Sequence, residues 1–167
     1  THRDIKLENI LLDETRTRVK LIDFGFSTCI PHEKKVKIFC GTPSYMAPEI
    51  VSKIEYAGPP ADIWALGVLL YASFAVGSLS KAKMTKAVQQ HLQAGAALPD
   101  HVSRQARQLL QKIFHKNPDK RPVIKDILRD PWLQFTPRDQ EMMSPKSLSF
   151  VGHLKHISGI NFGNVSA

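Results

Sequence analysis

The chain has 167 residues, 43% of them apolar, and a formal charge of +8, which is enough for one domain with its own core and excludes a wholly disordered chain. Lys and Arg are scattered, with only Lys34-Lys35-Val36-Lys37 approaching a basic run, so no nucleic-acid partner is expected. No apolar run reaches the roughly 20 residues that span a bilayer, and Cys29 and Cys40 show neither metal-ligand spacing nor a disulfide framework, so no membrane partner and an intracellular, cytoplasmic compartment are expected.

In chain order, Ile10-Leu11-Leu12 and Val19-Lys20-Leu21-Ile22 are short apolar runs separated by the polar stretch Asp13-Glu14-Thr15-Arg16-Thr17, which predicts a hairpin. Its outer ends, Asn9 and Asp23, become neighbours. Residues 26 to 46 carry charge, Pro and Gly without periodicity and predict a long loop of the kind that carries function. From Asp62 to about Ala75 the chain is apolar nearly all round, which predicts a buried central helix with Asp62 in its first turn as an N-cap. Val102, Ala106, Leu109, Leu110 and Ile113 recur at helical spacing after a cap at Ser103, an amphipathic surface helix. Val123, Ile124, Ile127 and Leu128 predict a shorter one, stopped by Pro131. From residue 136 the composition turns to Ser, Gly, Asn and Pro and reads as a flexible tail, in which Thr136-Pro137 and Ser144-Pro145 have the form of proline-directed phosphorylation sites but read first as ordinary linker. The domain division is therefore 1–135 and 136–167.

The chemistry is concentrated at the start. Moving a phosphoryl group to an alcohol requires a carboxylate to orient the hydroxyl and accept its proton, and divalent cations to neutralise the phosphate oxygens. Asp4 suits the first task. Asn9 and Asp23 suit the second, because Mg²⁺ prefers hard oxygen ligands.

His2-Arg3-Asp4-Ile5-Lys6-Leu7-Glu8-Asn9 resembles the catalytic loop of protein kinases, and Asp23-Phe24-Gly25 resembles their metal-binding triplet. Gly41-Thr42-Pro43-Ser44-Tyr45-Met46-Ala47-Pro48-Glu49 carries the Ala-Pro-Glu signature, Asp62-Ile63-Trp64-Ala65-Leu66-Gly67 is similar to the start of the family's long buried helix, and Arg121 in Asn117-Pro118-Asp119-Lys120-Arg121-Pro122 matches a fifth position. The resemblance runs from Thr1 to about Leu133.

It implies a mainly α carboxyl-terminal kinase lobe with a small β-hairpin and a long activation segment at residues 26–46, acting with ATP and Mg²⁺ on Ser or Thr of protein substrates. By the same resemblance Asp4 is the catalytic carboxylate, Lys6 faces the transferring phosphate, Thr42 positions Asp4, and Asn9 and Asp23 hold metal and nucleotide. His2, Arg3, Gly25, Glu49, Asp62 and Arg121 are structural supports, with Gly25 supplying positive-φ freedom, Asp62 bracing the backbone of His2 and Arg3, and Glu49 ion-paired with Arg121. Phe24 is expected in the core. Glu8 meets a basic residue of the substrate, and Cys40 to Pro43 with Tyr56 to Pro59 are similar to the calmodulin-dependent and AMP-activated group. Oligomeric state is left open.

Departures from the family pattern are informative. Ile38 occupies the usual activation-loop phosphothreonine position that Arg3 would pair with, which leaves Ser27 or Thr28 as substitutes. Gly77-Ser78-Leu79-Ser80-Lys81-Ala82 lacks the family's Pro and Phe. No Gly-x-Gly-x-x-Gly occurs, so the expectation is a fragment without the amino-terminal lobe, inactive alone. The rival reading is a catalytically dead kinase-like scaffold.

Overall fold

A computed structural model describes residues 1–14, 18–31, 34–74 and 102–134. The hairpin forms as predicted. Strand β1, Ile10–Leu12, pairs antiparallel with β2, Val19–Leu21, in the register Ile10↔Leu21, Leu11↔Lys20, Leu12↔Val19. One further bond, from the Ile22 N–H to the Asn9 carbonyl at 3.0 Å, extends the ladder and sets Asp23 beside the Asn9 turn. Thr15, Arg16 and Thr17 lie outside the described residues.

Among the described residues of the stretch 26–46 there is no regular element beyond a short 3₁₀ turn, Pro43–Tyr45, and an isolated antiparallel bridge, Val36↔Tyr56. A short helix, α1, follows at Pro48–Val51. Helix α2 spans Gly58–Phe74, so it begins four residues before the expected start at Asp62. Pro59 and Pro60 fall in its first turn, where the backbone N–H groups have no helical acceptor and proline loses nothing. Asp62 is consequently one turn inside the helix and is not its N-cap.

The apolar girth of α2 is accounted for by burial on several sides, through Trp64, Val68, Tyr71 and Phe74 among others. Against it packs α3, Arg104–Ile113, capped by the Ser103 hydroxyl, which accepts the Ala106 N–H at 3.2 Å as the sequence predicts. All five apolar positions of the predicted stripe, from Val102 to Ile113, are buried. The two helices approach closely at Gly67, where a Cβ would collide with Ile113, and Trp64 meets Phe114 edge-on at 5.1 Å. Helix α4, Ile124–Leu128, ends before Pro131; its Ile127 is buried, whereas Val123, Ile124 and Leu128 are exposed. Beyond it Trp132 packs on Phe74. The tail from residue 136 and the Gly77–Ala82 stretch lie outside the described residues, as do Thr136-Pro137 and Ser144-Pro145. Among the described residues no helix is long and apolar enough to cross a membrane.

Candidate active site

Ahead of the 3₁₀ turn Leu7–Asn9 that leads into β1 the chain is neither strand nor helix, and Arg3 takes a left-handed φ of 68°, which costs energy for a residue with a side chain. It is held in that shape from outside. Both oxygens of the Asp62 carboxylate accept backbone N–H groups, from His2 at 2.7 Å and from Arg3 at 2.8 Å. Starting α2 four residues early places Asp62 deep enough to serve the loop rather than its own helix. The buried His2 ring adds a second brace: Nδ1 accepts the Asp4 N–H at 3.3 Å while Nε2, 3.1 Å from the Ile22 carbonyl, donates to it. That pattern assigns the proton to Nε2 and ties the loop to the end of β2.

Thus positioned, the buried Asp4 carboxylate collects three partners. The Lys6 ammonium donates to Oδ2 at 2.6 Å, the Thr42 hydroxyl donates to Oδ1 at 2.8 Å, and the Asn9 amide donates to Oδ2 at 3.2 Å and to the Asp4 carbonyl at 2.9 Å. Lys6 also reaches the Thr42 hydroxyl oxygen at 3.0 Å. Thr42 arrives from 38 positions away because the chain turns at Gly41, whose φ is 102° and where a Cβ would sit 2.5 Å from the Arg3 carbonyl oxygen. Only glycine fits there.

Burial pushes the Asp4 carboxyl up, but the hydrogen bonds from Lys6 and Thr42, the Lys6 charge and the Asn9 bond outweigh it, so its pKa lies below the ordinary carboxylate value. The Asp4 hydrogen bond raises Lys6; desolvation opposes this, and the charges of Asp4, Glu8 and Asp23 reinforce it. The Asp23 carboxylate therefore belongs to the same electrostatic neighbourhood. A depressed acid stabilises the fold above its unfolded pKa and loses that contribution as pH falls through the folded value, whereas a raised base does so below its unfolded pKa and loses it as pH rises through the folded one. The pair thus contributes fully between about 3.9 and about 10.4. In a pH titration followed by carboxyl NMR, Asp4 is expected to titrate below about 3.9; a midpoint at or above that value would show that the Lys6 pair does not form in solution.

Asp23 itself is exposed and left-handed, with φ 61°, and its Oδ1 accepts the Gly25 N–H at 3.2 Å. The positive φ expected of Gly25 is thus carried by Asp23, two residues earlier; a Cβ on Gly25 would lie 3.2 Å from that Oδ1. Phe24 is 63% exposed, not the core residue its aromatic character predicts, because it lies in a turn at the end of a two-stranded ladder, where it meets the His2 ring edge-on at 5.1 Å.

Glu49 and Arg121, 72 positions apart, form a buried bidentate pair with both oxygen–nitrogen distances at 2.7 Å. Arg121 further donates to the His115 and Pro60 carbonyls at 3.0 and 2.9 Å and lies over the Trp64 ring. Glu8 is exposed in the 3₁₀ turn Leu7–Asn9. Arg3 donates through Nε to the Phe26 carbonyl, and its Nη1 is buried with no hydrogen-bond partner among the described residues. The Ser27 hydroxyl makes a long contact to the His2 carbonyl, and the Thr28 backbone pairs with Thr1.

Sequence reasoning used Tyr56 only as part of the Tyr56 to Pro59 resemblance and gave it no structural task. It exchanges two 3.0 Å backbone bonds with Val36, and its hydroxyl donates to the Ile38 carbonyl at 3.0 Å. Nothing in its local sequence signals this task, since its partners lie 18 and 20 positions upstream.

Loss of the Asp62 brace has a direct expected result. Asp62→Ala removes two charge-assisted bonds to a strained loop and is expected to cost about 2 kcal/mol, with hydrogen exchange accelerated first at the His2 and Arg3 amides. An unchanged denaturant midpoint with protected amides would show that the loop holds its shape without the carboxylate.

The amino-terminal loop brings a lysine and an amide, and the turn at Gly41 a threonine, to one carboxylate, while the end of the hairpin and α2 brace the loop. Residues 1–133 match the model of the protein kinase domain, and the chain belongs to that family. Among curated proteins it is similar to the serine/threonine-protein kinase SAPK7 of Oryza sativa subsp. japonica, 40% identical over 148 residues that cover 83% of this chain and 41% of that protein. It is similar also to the probable serine/threonine-protein kinase MARK-A of Dictyostelium discoideum, 35% identical over 81% of this chain and 13% of that protein. The mitosis inducer protein kinase cdr1 of Schizosaccharomyces pombe is 37% identical over 79% of this chain and 22% of its own length. The chain spans less than half the length of these relatives.

Proposed function

We propose that this chain is the carboxyl-terminal lobe of a serine/threonine protein kinase of the calmodulin-dependent and AMP-activated type, comprising residues 1–135 with a tail at 136–167. Within the whole enzyme it transfers the γ-phosphoryl of ATP to Ser or Thr hydroxyls of protein substrates. The observation that carries this reading is the Asp4 carboxylate held jointly by Lys6, Thr42 and Asn9. Asp4 orients the acceptor hydroxyl and takes its proton. Lys6, already against Asp4, supplies positive charge to the moving phosphoryl group. Thr42 fixes the carboxylate and favours a small aliphatic hydroxyl as acceptor.

The donor set suits magnesium. With the Asn9 amide nitrogen engaged by Asp4, its carboxamide oxygen is the atom left to coordinate, and the exposed Asp23 carboxylate stands at the neighbouring strand end. Asn9 and Asp23 would hold the cation together with substrate phosphates, as Mg²⁺ sites commonly do. The cation, when bound, neutralises the phosphate oxygens. Glu8, in the exposed turn, meets a basic residue of the peptide. Residues 26–46 act as the activation segment, fastened at its end by the Glu49–Arg121 pair.

Alone, the chain has little or no activity, because the Gly-rich loop and the strand Lys that complete a kinase nucleotide site are not among its residues. The test is transfer from labelled ATP by the full-length protein to matched Ser, Thr and Tyr peptides. Mg²⁺-dependent labelling of the Ser and Thr peptides is expected. Labelling of Tyr alone, or none, overturns the reading.

A further inference from the structure

An apolar cleft of about 210 Å³ opens between residues 37–39 and 50–56, lined by Lys37, Ile38, Phe39, Ile50, Lys53, Ile54 and Tyr56. It shares no lining residue with the Asp4, Lys6 and Thr42 cluster. Three of its apolar walls face solvent, with Ile38 51%, Phe39 56% and Ile54 59% exposed; contiguous exposed apolar surface rimmed by charge is the mark of an interaction site. Its shape is set in advance. Tyr56, itself buried, ties the two sides together through both backbone bonds to Val36 and its hydroxyl bond to the Ile38 carbonyl.

The cleft is smaller than the roughly 300 Å³ at which small-molecule pockets begin, so it suits one or two apolar side chains of a peptide. Charge selects which peptide. Lys37 and Lys53 lie in the wall, and Lys34 and Lys35 precede them on the same segment. Of the two carboxylates between residues 34 and 56, Glu49 is committed to Arg121, which leaves Glu55 against four lysines. We propose that this cleft docks an extended segment of a partner protein in which one or two large apolar residues are flanked by Asp or Glu. Ile38 thereby acquires a role: where the family places a phosphorylatable threonine, this chain presents an apolar wall. The inference uses none of Asp4, Lys6, Asn9, Asp23 or Thr42, although its wall at residues 37–39 lies within the segment 26–46 of the phosphotransfer reading.

The test is fluorescence anisotropy with residues 1–167 and three labelled heptapeptides. The probe is Glu-Glu-Asp-Leu-Phe-Glu-Glu; one control replaces Leu-Phe by Ala-Ala, and the other replaces every acid by Lys. The probe is expected to bind at least about tenfold more tightly than either control, as loss of a buried anchor commonly produces. Ile54→Asp is expected to weaken it by a similar factor, and the double variant Lys37→Glu/Lys53→Glu to reverse the preference in favour of the Lys-flanked peptide. All three positions are exposed, so the variants should keep the parent's circular dichroism. Equal binding of the Leu-Phe and Ala-Ala peptides would reduce the effect to general charge attraction and overturn the proposal. Indifference to Ile54→Asp would overturn it as well. Concentration-dependent dimerisation abolished by Ile54→Asp would assign the cleft to a second copy of the chain instead.

Discussion

On the proposed function, replacing Asp4 by Asn in the full-length protein is expected to lower the rate of phosphoryl transfer by about 10²- to 10⁴-fold, the range that a positioned proton acceptor contributes. The substitution is nearly isosteric and retains an oxygen that can accept from Thr42, so the fold and the binding of ATP should change little. What is lost is the negative charge that Lys6, Thr42 and Asn9 all address, and with it the capacity to take the acceptor's proton. The effect should therefore fall on kcat far more than on KM for ATP. An Asp4→Asn enzyme within about threefold of the parent kcat would remove Asp4 from the chemistry. A large rise in KM for ATP with kcat intact would instead assign the carboxylate to binding.

Glu49→Ala destabilises the chain by about 3–5 kcal/mol, the cost of breaking a buried ion pair from one side. Arg121 is buried and its guanidinium is matched to two carboxylate oxygens at once. Among the described residues, removing them leaves a cation with the carbonyls of His115, Pro60 and Lys116 and the face of Trp64. Against the 5–15 kcal/mol that a domain typically has, such a loss is severe, and a denaturant midpoint close to the parent's would refute it. A second measurement separates the charge from the packing. If the double variant Glu49→Leu/Arg121→Met recovers most of the loss, the cost lies in the orphaned guanidinium, since apolar replacement of a whole buried pair is often neutral or better.

Much of this was legible along the chain because it depends on short spacings. The hairpin register follows from two apolar runs and a polar turn, and it alone brings Asn9 to Asp23. The stripe from Val102 to Ile113 and the Ser103 cap could be read at a period of 3.6 residues and are found as read. Local cues misled where backbone geometry shifted by a few positions. Two prolines moved the start of α2 to Gly58 and took Asp62 away from the cap, and the left-handed turn fell on Asp23 rather than on Gly25. Phe24 shows the limit of composition: an aromatic residue is buried only if a second layer covers it, and no local pattern reports that.

Residue type and order by themselves determined the membership in the kinase family and the identity of the oxygen-bearing side chains at the amino-terminal end. Tertiary structure alone decided how they are aimed. Asp62 reaches the His2 backbone across 60 positions, Thr42 reaches Asp4 across 38, and Arg121 reaches Glu49 across 72. Contacts at such separations exist only after chain closure has been offset by burial in the α2–α3 core, so their geometry depends on the whole domain. The short-range pattern names the participants because a turn or a hairpin fixes its own neighbours.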